Sequence, residues 1–268
     1  MYFCDSYSKL SYIQYFVYMS NTSVNNEFID FMRMEHYDGS TTKLIAFSNG
    51  GFEFNGSSIG FSNMTTYPIN FKGHHFNSPE TAYIACFYGK NDPKCIDIQK
   101  EIQQCTNGLF CKRKFRGKEL SEAYGRKDFH QSEWHFNLML YLVWEKCKTH
   151  RDFARLLLNV PDKYVIIESQ NPFAKVKVGD WGCKNYDALK AYKQKVKELE
   201  QTMNASKLKI KEAATIATWN EGVWKGCNHQ GKILMACRTA LRTKTTPPIN
   251  IKALNDAEIY LFGELLEF

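Results

Sequence analysis

The 268-residue chain has no Cys-x-x-Cys pair; its nine cysteines are odd in number, and the closest two are Cys105 and Cys111. That spacing excludes a zinc ribbon and a secreted disulfide scaffold, so reduced thiols and a cytoplasmic setting are expected. No apolar run reaches the ~18 uninterrupted residues of a membrane helix. The stretch Leu10 to Met19 is studded with Tyr and Gln and has no small-residue cleavage site, so neither a signal peptide nor a membrane partner is expected. Charge of one sign is also lacking: 35 Lys and Arg face 28 Asp and Glu, for a net +7. That balance suits anionic partners but is far weaker than a dedicated DNA-binding arm. The seven histidines form no metal template. His74 and His75 are adjacent, and neighbouring side chains on a strand point to opposite faces. His130 and His135 do not stand at helical ligand spacing. No metal and no cofactor are expected, and internal repeats are absent.

What is present is a globular composition, 44% hydrophobic and 15% aromatic, enough for a sizeable core. Residues 1–40 read as an N-terminal extension, 41–245 as one domain and 246–268 as a C-terminal tail. Lys43 to Phe54 begins as a strand and runs into a Gly/Asn turn, and Asn55 to Gly60 is a loop. Tyr67 to Phe71 is a strand closed by the turn Lys72-Gly73. Ser78-Pro79 opens a helix, with Ser78 at the N-cap and Pro79 at the first helical position. Further helices are predicted over 96–104, 119–124, 134–147 and 152–158, with a short buried strand over Tyr164 to Glu168. Leu189, Tyr192, Val196, Leu199 and Met203 recur at spacings of three and four, which predicts an amphipathic helical insertion over 184–218. A helix ends near Arg238 to Arg242, Pro247-Pro248 breaks the chain, and the tail to Phe268 reads as a last helix.

Two motifs invite a functional reading and carry little. Gly226 to Lys232 (GCNHQGK) matches the start of a phosphate-binding P-loop, but Ile233 stands where Mg²⁺ needs Ser or Thr, and no apolar strand precedes it. Its glycines are turn formers or, ahead of a helix, a cradle for phosphate. The run Lys112, Arg113, Lys114, Arg116 and Lys118 reads as a basic loop interleaved with Phe110 and Phe115. Such a loop is either a solvated surface or, through Lys112, Arg113, Lys114 and Arg116, a contact for nucleic acid.

The order of several short motifs says more than any one of them. Phe61-Ser62-Asn63 precedes the Pro68-Ile69 strand, then come Lys72-Gly73, Phe76 and Ser78-Pro79-Glu80 with Tyr83 and Ala85. Later follow Tyr124-Gly125-Arg126, Trp134, Glu168-Ser169 and Asp180-Trp181-Gly182. The series closes with Gly226, Asn228, Gly231-Lys232, Leu234-Met235 and Arg238. Across about residues 45 to 243 this order resembles the NADAR (YbiA-like) family of N-glycosidases. The chain departs from that pattern in places. Thr81 stands where His usually follows the helix-start Glu, Phe87 stands in place of a lysine, and Gln230 replaces a Leu of the closing motif. Trp219 and Trp224 rival Trp181 for an aromatic role.

The resemblance implies an α+β fold, predominantly helical, with a small sheet in a single domain. It implies hydrolysis of a ribose C1–N bond, with ADP-ribose on guanine, in nucleic acid or nucleotide, as the first substrate. Ribosylamino-pyrimidine phosphates of riboflavin synthesis are an alternative. The absent lysine leaves a third reading open, a protein that binds or sequesters an ADP-ribose-like ligand without turning it over. Such cleavage passes through an oxocarbenium-like state and needs a carboxylate near C1. Glu80 is the first choice for it and Asp180 the second. Asn63, Arg126, Trp134, Trp181, Gly182, Gly226, Asn228, Gly231 and Lys232 are the substrate-binding candidates. Lys90, Lys72 and Lys232 are the lysines that could replace the missing one. The sequence leaves the oligomeric state open.

Overall fold

The computed structural model describes residues 28–47, 60–130, 132–170, 181–218 and 221–268. Among these, ten α-helices and four two-stranded sheets make a mostly helical α+β fold. The sheet material is thus small, as the sequence implies, but divided into separate pairs. Strands β1 (Glu35–Asp38) and β6 (Val223–Gly226) pair antiparallel, with Glu35 opposite Gly226. Strands β2 (Lys43–Phe47) and β5 (Tyr164–Glu168) pair parallel, with Phe47 opposite Glu168. Strands β3 (Ile69–Phe71) and β4 (His74–Phe76) form a hairpin whose turn residues Lys72 and Gly73 both have positive φ, 51° and 82°. Glycine occupies the second position at little steric cost.

Helix α1 (Pro79–Phe87) lies at the centre, with every residue buried. A helix buried on every face belongs inside a core rather than on its surface. It packs against α2 (Pro93–Gln103), α3 (Gly108–Phe115) and α5 (Trp134–Thr149). Helix α4 (Lys118–Tyr124) and a 3₁₀ turn (Lys127–His130) lead into α5, and α6 (Arg151–Leu158) follows it. Helix α9 (His229–Thr243) packs on β5, α5 and α6.

Three sequence expectations change. The supposed basic loop is helix α3, because Asn107 caps it through its side chain to Phe110 N–H, and Cys111 and Phe115, four residues apart, bury one face. The single helix expected over 184–218 is two, α7 (Tyr186–Thr202) and α8 (Lys207–Thr218), packed on each other across a break at 203–206. The last segment is a short helix, α10 (Ile251–Asp256), followed by the hairpin β7 (Tyr260–Leu261) and β8 (Glu264–Leu265). Gly263, with φ +92°, makes that hairpin's turn possible. Leu254, Ile259 and Leu261 are fully buried in the same core as α1, so this segment is part of the packed body.

Candidate active site

The start of α1 is doubly capped. Ser78 Oγ accepts from Thr81 N–H at 3.3 Å, and Thr81 Oγ1 accepts from Ser78 N–H at 3.1 Å. Thr81 thus performs the reciprocal half of a capping box. Between the two lies Glu80, whose N–H donates to the Asn63 carbonyl at 3.1 Å. Its side chain is only 7% exposed, and Lys112 Nζ stands 3.1 Å from its Oε1. Lys112 gets there because α3 begins with Gly108: a Cβ on that residue would lie 2.9 Å from Met64 Cα and 3.1 Å from Ser78 Oγ. That close approach sets α3 against the start of α1, and Lys112, one turn on, falls on the same face.

A second carboxyl belongs to this cluster. Glu168 ends β5, and burial pushes its carboxyl up to about 7. Lys112 draws it down, the charge of Glu80 pushes it up, and a hydrogen bond with the Gln170 side chain lowers it. Glu168 is held by its backbone: its N–H donates to Asn228 Oδ1 at 3.3 Å, and its carbonyl accepts from Cys183 N–H at 2.8 Å. Asn228, fully buried with φ +51°, also donates from Nδ2 to the Ile166 carbonyl at 2.8 Å. Next to it, the Gln230 N–H donates to the Trp181 carbonyl at 3.0 Å, and its side chain pairs with that of Asn63. These bonds join the start of α1, the end of β5, the Trp181-Gly182 segment and the start of α9.

Aromatic rings form the adjoining wall. Trp181 meets Tyr83 edge-on at 5.7 Å, Phe136 at 5.5 Å and His229 at 5.6 Å. Tyr83 meets Phe129 at 4.9 Å. Burial, and then the charge of Glu80, push the Tyr83 hydroxyl well up, so it stays a neutral donor. His229 lies between Phe136 and Trp181, where burial holds its imidazole down to about 3 and therefore neutral. The Phe87 ring meets Phe129 at 5.0 Å, and the Arg116 guanidinium lies 4.0 Å from its centre.

The remaining sequence candidates sit as follows. Gly182, Gly226 and Gly231 mark close backbone approaches: a Cβ on them would lie 2.0 Å from the Glu168 carbonyl oxygen, 2.2 Å from that of Gly182 and 2.1 Å from that of Ile166. They join the closing loop to β5 and the Trp181 segment. Lys232 is buried, and its Nζ donates to the Asp30 and Arg33 carbonyls, each at 2.8 Å, and lies 3.3 Å from Glu35. Arg126 pairs with Asp128, bonds the carbonyls of Gly89, Ala257 and Glu258, and lies 4.8 Å over the Trp134 ring. Trp134 Nε1 donates to Asp128 Oδ2 at 3.2 Å. Arg126 and Trp134 therefore form a unit with Asp128 that holds the 257–258 segment. Asp180 and Trp219 lie outside the described residues.

Of the three lysines named as replacements, Lys90 bonds the Gly125 carbonyl, Lys72 bonds that of Glu267, and Lys232 is occupied as above. In the sequence Lys112 is only part of a basic run, yet in the fold it lies at Glu80. No spacing in the sequence signals this, whereas Glu168-Ser169 already stood in the motif order without a role. Lys146 is fully buried and supports the loop that carries Asn63. Its Nζ donates to the Gly60 carbonyl at 2.7 Å, and burial lowers its amine to about 7. Among the described residues, no group of three or more His, Cys, Asp and Glu could hold a metal ion. Among them also, no helix is long and apolar enough to cross a membrane.

No family model matches the chain, and no curated protein matches it. Among the solved structures similar to the chain is the NMR structure of the E. coli protein YbiA, at 19% identity with a TM-score of 0.44, over 75% of this chain and 86% of that one.

Proposed function

We propose that the chain is an N-glycosidase that hydrolyses a ribose C1–N bond, with ADP-ribose linked to guanine as the substrate. The observation that carries this reading is Glu80: a carboxylate buried at a capped helix start, ion-paired to Lys112, beside a second carboxyl and an aromatic wall. The motif order shared with N-glycosidases supports it from the sequence side. In the reaction, Glu80 stabilises positive charge at C1 and takes the proton of the attacking water. Trp181 and Tyr83 keep water away and offer faces and edges to a sugar or base. The exposed residues Phe110 and Arg113 on α3, next to Lys112, suit a nucleic-acid strand running past the site.

The test is incubation of the native protein and Glu80→Gln with an oligonucleotide carrying ADP-ribosylated guanine. Release of free ADP-ribose by the native protein, reduced at least ~10²-fold in Glu80→Gln, is the expected result. No release, with tight ADP-ribose binding by both, would replace this reading with a sequestering protein. That second reading has its own observation: Phe87, a buried ring under the Arg116 guanidinium, stands where the resemblance implies a lysine.

A further inference from the structure

We propose that the helical hairpin α7–α8 is an arm for nucleic acid: Tyr186, Lys190, Lys193 and Lys197, on one side of α7, hold the single strand that carries the target guanine. That guanine is the one of the glycosidase reading, on which this role rests. The two helices pack on each other, and among the described residues no other helix or strand meets either of them in more than a fringe contact. Their apolar sides are used up in the hairpin. Leu189, Tyr192, Val196 and Leu199 of α7 are half-buried, and Ile210 and Ala214 of α8 are buried. What α7 leaves outside is polar, and it is sorted by charge.

Tyr186, Lys190, Lys193 and Lys197 follow one another at spacings of four, three and four, so they lie along one side of the helix. All four are exposed, Tyr186 by 55%. At 1.5 Å per residue the row is about 16 Å long, the length of about five nucleotides at ~3.4 Å per step. The acids of α7 do not cancel it. Asp187 faces the foot of the arm, where a Cβ on Gly222 would lie 2.7 Å from its Oδ2. Glu198 is paired with Lys195 at 3.1 Å, and Glu200 stands beyond the last lysine of the row. Over residues 186–218 seven lysines meet four acids, so the hairpin as a whole is basic. A row of ammonium groups with an exposed ring at one end suits a single strand: the charges track the phosphates and the ring stacks on a base.

Both feet of the arm stand in the framework of the candidate site. Ahead of α7, the Trp181 carbonyl accepts from Gln230 N–H at 3.0 Å, and Cys183 N–H donates to the Glu168 carbonyl at 2.8 Å. Lys184 and Lys225 then exchange N–H to carbonyl bonds, at 2.8 and 3.0 Å, and Asn185 Nδ2 donates to the Glu221 carbonyl at 2.6 Å. After α8, β6 runs directly into Asn228 and the start of α9. These bonds fix the base of the hairpin against β6. Tyr186 is the first residue past this clamp, so the aromatic end of the row is the end nearest Trp181, and the lysines lead away from it. A strand whose guanine lies at Trp181 and Glu80 therefore meets Tyr186 first and the lysines next.

The experiment is fluorescence anisotropy of a labelled, guanine-containing single-stranded DNA oligonucleotide. It is titrated with the native chain, with the triple variant Lys190→Gln, Lys193→Gln, Lys197→Gln, and with Tyr186→Ala. A charge-matched control, Lys43→Gln, Lys163→Gln, Lys252→Gln, changes three lysines that are exposed elsewhere. The arm variant should bind at least ~10-fold more weakly, and its slope of log affinity against log salt should be shallower by about 2, at ~0.7 per lost single-strand contact. Tyr186→Ala should weaken binding about fivefold or more. The control should stay close to the native chain. Equal weakening in the control, an unchanged salt slope in the arm variant, or no binding by the native chain overturns the proposal. So does capture by vesicles of anionic phospholipid in place of the oligonucleotide. This readout needs no turnover. A protein that binds through the row and releases no ADP-ribose from a modified oligonucleotide keeps the arm and loses the glycosidase reading. Release with kcat/KM untouched in the arm variant does the reverse.

Discussion

The side-chain amides of Asn63 and Gln230 face each other as a reciprocal pair: Asn63 Nδ2 donates to Gln230 Oε1 at 2.6 Å, and Gln230 Nε2 donates to Asn63 Oδ1 at 2.8 Å. Both residues are buried, and each also bonds through its backbone to a site segment, Asn63 to Glu80 and Gln230 to Trp181. The pair therefore joins the loop before α1 to the start of α9 at the position of Glu80. A Leu at 230, as in the motif that the chain resembles, could not make this bond.

Gln230→Leu should destabilise the fold by about 1–3 kcal/mol, because it leaves the buried Asn63 amide without its partner. Asn63→Leu should cost a similar amount. The double variant should cost clearly less than the sum, since it removes both polar groups together. Urea unfolding of the four proteins measures this, and strict additivity would contradict the pairing.

Lys112→Met should cost less than about 1 kcal/mol of stability, because the lysine side chain is 45% exposed and its ion pair is screened by water. Lys112 lowers the Glu168 carboxyl, so its loss should move that carboxyl's titration upward from about 7, read by carbon-13 NMR of glutamate-labelled protein. Lys112→Arg should restore the native titration. An unmoved titration in Lys112→Met would exclude a direct action of Lys112 on Glu168.

Two groups, the buried His229 and the half-buried Glu168, should tilt stability against pH in opposite senses. His229 is held neutral down to about 3, against 6.5 in the unfolded chain. Below 6.5 the unfolded chain binds the extra proton, so stability is lost as pH falls from 6.5 towards 3, by up to about 3–5 kcal/mol. Glu168, raised from 4.5 to about 7, keeps its proton in the fold, so its contribution is present below 4.5 and is lost as pH rises to about 7. Comparing the native chain with His229→Leu and Glu168→Gln by denaturant unfolding from pH 4 to 8 separates them. Each variant should remove its own slope only.

Arg126→Lys should destabilise by about 1–3 kcal/mol, since a lysine cannot hold Asp128 with both oxygens and reach the Gly89, Ala257 and Glu258 carbonyls together. Amide exchange should speed up first around residues 257–261. Uniform change across the chain would argue against this local role.

If a nucleic-acid strand runs past α3, its binding should weaken steadily as salt rises. Phe110→Ala should weaken it by about 1–3 kcal/mol if the exposed ring stacks on a base. The buried Phe115 belongs to the core, and changing it should affect folding instead. Salt-independent binding, or an unchanged affinity in Phe110→Ala, would exclude this surface.

Features that depend on neighbours along the chain are legible in the residues alone. Ser78 and Pro79 start α1, Lys72-Gly73 turns the β3–β4 hairpin, and the apolar runs form α5 and β5. Caps, turns and periodicity act over a few residues, so residue type and spacing state them directly. The mostly helical α+β class follows from the same signals together with the motif order. Which charges meet depends on how distant segments pack. Lys112 reaches Glu80 because Gly108 lets α3 close on Met64 and Ser78, and Gln230 answers Asn63 across most of the chain. Burial and neighbouring charge, which exist only in the packed fold, raise the Glu168 carboxyl. Contacts at such separations, and the loss of water that gives them their strength, leave no periodic mark in a sequence.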